Sequence, residues 1–126
     1  MRHGSGAVDE RVAAIELLKA LRQVDSRVGV KNSRIAFDIA LLFYEAAARA
    51  PDHALSVDQI ADATQYSGPT VRLVLKRLLD ARTLQPGRRV GKTQMYVMSA
   101  AGFAAFQGYV DALTAFRATG AATATV

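Results

Sequence analysis

The chain has 126 residues, 51% of them apolar, which suits one domain with a single core and leaves too little for a second. It contains no cysteine. That excludes disulfides, thiolate metal sites and thiol redox sensing, and it fits a reducing, cytoplasmic compartment. The net charge of +5 is unevenly placed. Between Ser67 and Met98, seven basic residues (Arg72, Lys76, Arg77, Arg82, Arg88, Arg89 and Lys92) face the single acid Asp80, whereas the rest of the chain carries nine basic and ten acidic residues. A local cationic field of this kind suits a polyanionic partner. No apolar run reaches membrane-spanning length, and the opening "MRHGSGAVDE" lacks the apolar stretch of a secretion signal, so no membrane partner is expected.

Residues 1–6 are expected to form a flexible tail. Over 7–30, apolar residues at Val8, Val12, Ile15, Leu18, Leu21, Val24 and Val28 recur in steps of three and four, which predicts one long helix. Leu17 and Ala14 widen its apolar stripe. Gly29 reads as its C-cap, and Asn32 or Ser33 as the cap of a second helix through "SRIAFDIALLFYEAAARA", which must stop before Pro51. Ser56 with Gln59 forms a capping box, flanked by Leu55 and Ile60 as a hydrophobic staple, and predicts a third helix ending near Thr64–Tyr66. Ser67 caps a fourth helix over 68–82 with Pro69 in its first turn and a buried stripe of Val71, Val74, Leu75, Leu78 and Leu79. The period then changes. Two short strands are expected at Thr83–Gln85 and Gln94–Met98 around a cationic loop, followed by a helix over 99–118 capped by Ser99, with Phe103, Phe106, Val110, Leu113 and Phe116 on one side. Residues 119–126 read as a second tail.

The order of elements is helix, helix, helix-turn-helix, hairpin, helix. At "IADATQYSGPTVRLVLKRLLDARTLQ" the chain resembles the winged helix-turn-helix repressors: Ala61, Ser67, Thr70, Val71, Leu75 and Leu78 fit their pattern, and "RRVGKTQMYVMSAAG" looks like a wing followed by their Ser-x-x-Gly helix opening at Ser99–Gly102. A long first helix, a wing and a long last helix together look most like the MarR-type dimeric regulators. The chain departs from that pattern at Gln65, where glycine is usual, at Thr64, at Leu73, and in lacking the acidic-plus-arginine wing signature. The resemblance implies a mainly α fold with a small β-hairpin wing: a winged helix-turn-helix domain over 31–98, with the long N- and C-terminal helices forming a dimer interface.

Within that fold the fourth helix enters the major groove of double-stranded DNA. Arg72 is the candidate for bidentate reading of a guanine and Leu73 for a thymine methyl. Ser67 and Thr70, beside a helix N-terminus, suit phosphate, and Lys76 and Arg77 lie deeper and suit the DNA backbone. Arg88, Arg89 and Lys92 would lie along the neighbouring minor groove. The plainer alternative for each of these cations is a solvated charged face. The apolar stripes Val8, Val12, Ile15, Leu18, Phe106, Val110 and Leu113 exceed what one small domain covers, so a homodimer is expected, with the fold-back of both helices onto their own subunit as the alternative. The resemblance also implies a small-molecule effector, and Phe37, Phe43, Tyr44, Phe103 and Phe106 are aromatic enough to line a pocket or simply to fill the core.

Other chemistry finds no support. "GRRVGKT" (Gly87–Thr93) has three residues where a phosphate-binding P-loop has four, and it leads into a strand pattern. His3 and His53 are isolated, so no metal, cofactor or catalytic group is expected. Two functions compete with a sequence-specific regulator: a winged-helix protein–protein adaptor, and a non-specific chromosome-organising protein that holds DNA through phosphate alone.

Overall fold

The computed structural model describes the backbone of residues 2–125 and the side chains of residues 9–118. Five helices and one hairpin follow in order: α1 (Arg2–Val28), α2 (Arg34–Arg49), α3 (Val57–Thr64), α4 (Gly68–Asp80), β1 (Leu84–Val90), β2 (Thr93–Met98) and α5 (Ala100–Thr125). The helices α1 and α5 are longer than the expected 7–30 and 99–118. The side chains of the expected tails, 1–6 and 119–126, lie outside the described residues. No helix among the described residues is long and apolar enough to cross a membrane.

Local signals place the helix ends. Gly29 closes α1 with φ +87°, and both its amide and that of Val30 donate to Asp25 O at 3.0 Å. Ser33 caps α2 by accepting from the Ala36 amide at 3.1 Å, and the helix ends at Arg49, just before Ala50–Pro51. The reciprocal Ser56–Gln59 box opens α3. Leu55 and Ile60 on either side of it belong to the same apolar cluster.

One core serves all elements. Ile39, Phe43, Ile60, Val71, Leu78 and Leu84 are its most deeply buried members, and Val24 and Val28 of α1 join them. The α1 helix packs along α5, where Tyr109 donates to Asp25. Burial and that carboxylate raise the Tyr109 phenol pKa far above its ordinary value, so it stays neutral. Phe106, expected at a dimer interface, is only 2% exposed and sits in the subunit's own core. It stacks on Tyr44 at 4.7 Å and contacts Phe37 at 5.7 Å and Tyr109 at 4.8 Å between ring centroids. Steps of three and four from Phe103 reach both Tyr109 and Val110, and packing against α1 and α2 selects the tyrosine as the buried member.

The strands are longer than expected and leave only Gly91 and Lys92 as the turn. Register runs Leu84↔Met98, Gln85↔Val97, Pro86↔Tyr96, Arg89↔Gln94 and Val90↔Thr93, with a bulge between Pro86 and Arg89. Gly91 takes φ +62°, which suits the first central position of a two-residue hairpin turn. A further bridge, not legible in the sequence, joins Leu55 to Tyr96 through two 2.8 Å hydrogen bonds and fixes the hairpin to the start of α3.

Ser99 caps α5 through the Gly102 amide at 2.8 Å, and its hydroxyl reaches the carbonyls of Arg82 (2.6 Å) and Thr83 (3.1 Å). This explains the Ser-x-x-Gly opening physically. A Cβ at Gly102 would lie 2.1 Å from the Thr83 carbonyl oxygen and 2.9 Å from its Cα, so only glycine lets α5 start against that backbone. Gly102→Ala is therefore expected to lower unfolding stability by about 3 kcal/mol, the upper range for overpacking. A denaturant midpoint indistinguishable from that of the parent protein would show that the close approach is not real.

Candidate nucleic-acid interface

The α3–α4 turn is built by hydrogen bonds within a few residues. Gln65, at the position where glycine was noted as usual, adopts φ +66° and caps α3. Its amide donates to Ala61 O at 2.7 Å, and its side-chain Nε2 reaches Asp62 O at 2.6 Å, which offsets part of the steric cost of the left-handed conformation. The Tyr66 hydroxyl donates to Asp38 Oδ2 at 2.5 Å and ties the turn to α2; this hydrogen bond raises the phenol pKa above its ordinary value. Ser67 then caps α4, accepting from the Thr70 amide at 3.3 Å, while its hydroxyl donates to Thr70 Oγ1 at 2.9 Å. Pro69 occupies the first turn, where its missing N–H costs nothing.

The buried stripe of α4 is Val71, Val74, Leu75 and Leu78. The opposite side carries Arg72, Leu73 and Lys76, all exposed, with Leu73 at 72% the most exposed large apolar residue among those described. The Arg72 guanidinium turns back along the helix: a Cβ on Gly68 would lie 3.5 Å from its Nη1. Ser67, Gly68, Thr70 and Arg72 thus form one polar cluster at the α4 N-terminus, where the Gly68 amide and the helix dipole favour an anion. Lys76 follows one turn on from Arg72.

Arg77 departs from its expected place. Its Nε donates to Gly29 O at 2.8 Å and its Nη2 to Lys31 O at 2.5 Å. The side chain caps the end of α1 instead of standing free on the reading face. The helix C-terminus is the negative end of the backbone dipole, so a guanidinium is the favoured partner there.

The hairpin cations are redistributed too. Arg88 and Arg89 belong to β1, not to a loop, and only Lys92 lies in the turn. The bulge takes Arg88 out of the ladder, and it lines a shallow hollow with Pro51 and Asp52 of the α2–α3 connection. Gln94 clamps the bulge, its Nε2 donating to Gly87 O and Met95 O at 2.9 Å. Arg89 stays in register opposite Gln94, exposed, beside Val90, an exposed apolar residue that the sequence pattern had not marked out. Among the described residues, salt bridges join only Lys19 to Glu16 and Arg49 to Glu45, so Arg72, Lys76, Arg88, Arg89 and Lys92 have no carboxylate partner.

The aromatic residues noted as pocket candidates pack on one another. Tyr44 stacks on Phe103 at 4.8 Å, Phe37 meets Tyr109 edge-on at 5.3 Å, and Phe43 is fully buried. A shallow hollow lies elsewhere, lined by Asp38, Leu41, Leu42, Glu45, Ala63 and Thr64. No group of histidine, aspartate and glutamate among the described residues is arranged to hold a metal ion.

Solved structures share this arrangement. A complex of MepR from Staphylococcus aureus with DNA superposes with a TM-score of 0.69 over 91% of this chain and 90% of that one, at 16% identity. The chain has the MarR-type winged-helix fold. Other structures with this MarR-type fold have bound small molecules. S. aureus MepR bound to ethidium bromide matches with a TM-score of 0.64 at 15% identity, over 89% of this chain and 77% of that one. The heme sensor protein PefR from Streptococcus agalactiae, in complex with heme, matches with a TM-score of 0.59 at 13% identity, over 90% and 76%. No protein-family model and no curated protein matches the sequence.

The turn conformation yields a direct test. Replacing Gln65 by glycine removes the left-handed strain, worth about 1 kcal/mol, against the loss of one exposed side-chain hydrogen bond. Gln65→Gly is expected to be neutral or up to about 1 kcal/mol more stable in urea unfolding, whereas Gln65→Val, with a β-branched residue at positive φ, is destabilised.

Proposed function

We propose that this protein is a sequence-specific double-stranded DNA-binding transcription regulator, a repressor that acts as a homodimer. The observation that carries this reading is the outer face of α4: Arg72, Leu73 and Lys76 exposed, without carboxylate partners among the described residues, behind a polar N-terminal cluster, in a fold that MepR presents to DNA. Arg72 reads a guanine edge and Leu73 packs on a thymine methyl. Ser67, Thr70 and the α4 N-terminus hold phosphate, with Lys76 on the backbone. Arg89 and Lys92 at the hairpin end reach the adjacent minor groove, and Arg88, turned towards the α2–α3 connection, contributes to the field alone.

Two apolar stripes support the homodimer. On α1, Val12, Ile15 and Leu18 are exposed, Leu18 at 62%; on α5, Val110, Leu113 and Phe116 are exposed, Leu113 at 52%. The two helices pack against each other within the subunit, and each leaves these residues uncovered. Val8, also assigned to this interface, has its side chain outside the described residues. A second copy related by a two-fold axis is the simplest cover for such a surface, and it places two reading helices to address a pseudo-palindromic site.

Fluorescence anisotropy with random-sequence duplex and with a duplex selected from a library tests the reading. Binding weakens with salt with a slope set by the number of phosphate contacts, and the selected duplex binds more tightly. Absence of duplex binding at low salt would assign the chain to the adaptor class; equal affinity for all sequences would make it a chromosome organiser. Arg72→Ala is expected to relax base preference at one position at a cost of about 1–3 kcal/mol. Arg89→Ala weakens all sequences alike and flattens the salt slope by about one. Leu18→Asp combined with Leu113→Asp shifts sedimentation to the monomer while the helical circular dichroism persists.

A further inference from the structure

We infer that Arg77 is a positioning residue that sets the angle of the reading helix against the long helix α1, and that it takes no part in holding DNA. The inference rests on the DNA-binding reading above and deepens it. Arg77 stands on α4 one residue after Lys76, yet its guanidinium is laid across the α1–α2 corner, with Nε on Gly29 O at 2.8 Å and Nη2 on Lys31 O at 2.5 Å. Those two donors form one of the two edges with which a guanidinium can fork onto a phosphate, and they fix its plane against the α1–α2 corner. The corner they grip is rigid for independent reasons. Gly29 has φ +87°, and a Cβ there would lie 2.7 Å from the Ala81 Cβ, so the end of α4 lies hard against the end of α1. A few residues on, Thr83 Oγ1 donates to Val28 O at 2.5 Å.

Three contacts therefore join the ends of α1 and α4: the Arg77 fork, the Gly29–Ala81 approach and the Thr83 hydroxyl. The last two form a pivot, because both lie at the very end of α4 and its exit. Arg77, one turn earlier, supplies the lever arm that stops α4 from rotating about that pivot. If α1 sits at the two-fold axis, as the exposed stripes argue, the fork fixes how far apart and at what tilt two reading helices meet a duplex. Lysine cannot replace it. An ammonium is a single point donor and does not span two carbonyls in one plane.

The charge-conserving exchange separates positioning from phosphate contact. Arg77→Lys keeps the positive charge and removes the fork; Arg77→Met removes both. The chain has no native cysteine, so nitroxide labels on Glu16→Cys of α1 and Pro69→Cys at the end of α4 away from the pivot, diluted into excess unlabelled protein, report the distance between the two helices directly. The parent protein is expected to give one narrow distance distribution, and both Arg77 variants a broad one. Against a duplex selected by the parent protein, both variants are expected to lose about tenfold in affinity, within the usual range of coupling between distinct sites. The salt slope on random duplex stays as in the parent, and library selection returns looser half-site spacing. A Lys variant with parental distance and affinity, together with a Met variant whose salt slope falls by about one, would make Arg77 a phosphate contact and overturn the inference. Should the parent protein bind no duplex, the regulator reading fails, and the distance measurement still decides whether Arg77 holds the two helices.

Discussion

The buried side chain of Thr83 donates to Val28 O at the end of α1, its amide donates to Leu78 O of α4 at 3.0 Å, and its carbonyl accepts from both the amide and the hydroxyl of Ser99. Four elements meet at this residue: α1, α4, the start of β1 and the start of α5. Gly102 lies against its backbone, closer than any side chain would permit, and Gly29 lies against Ala81 two residues earlier. The outer helices are thus joined to the helix-turn-helix and hairpin through main-chain and short polar contacts that tolerate little sliding. A buried polar group that lost such partners would cost several-fold more than an exposed one. Through this corner, the position of α1 and α5 becomes the position of α4.

Charge and packing divide the surface in a consistent way. The excess positive charge of the chain falls on α4 and the hairpin. There Arg72, Lys76, Arg89 and Lys92 remain solvent-facing, while the Thr70 hydroxyl and the Gly68 amide add neutral donors. Arg77 is drawn out of this set by the carbonyls at the end of α1, where a cation meets both lone pairs and the helix dipole. The field that remains is carried by fewer side chains than the count of basic residues implies.

The long helices do two jobs with different parts of their length. On α1, Leu21, Val24 and Val28 turn into the subunit core, while Val12, Ile15 and Leu18 stay outside. On α5, Phe106 and Tyr109 fill an aromatic cluster with Phe37 and Tyr44, and Val110, Leu113 and Phe116 remain exposed. One part of each helix secures the domain, and another presents exposed apolar side chains. Fold-back onto the subunit is thus carried by Leu21, Val24, Val28, Phe106 and Tyr109, while the remaining apolar residues of both helices stay exposed. Leu73 and Val90 are further exposed apolar positions, on α4 and the hairpin beside the cations.

What the sequence determined by itself was every feature whose partners lie within a turn or two. The capping pair Ser56–Gln59, the Ser67 cap with Pro69, the stop before Pro51 and the stripe of α4 are set by hydrogen bonds and side-chain spacing among near neighbours, and all are present. The hairpin and the Ser99 cap were legible in the change of period after Arg82, and the family pattern added the reading of the hairpin as a wing and of Ser99–Gly102 as a Ser-x-x-Gly opening. Tertiary structure alone decided the rest. Arg77 looks like any other cation of α4 until carbonyls nearly fifty positions away come within reach, and Phe106 looks like its neighbour Val110 until α1 and α2 close over one of them. The Leu55–Tyr96 bridge likewise joins segments distant in the chain, and the bulge that turns Arg88 aside is set by strand register that the residue pattern does not show. A local pattern fixes which side of a helix is apolar; what covers that side, and which surface cation is already occupied, is settled only when distant segments compete for the same space.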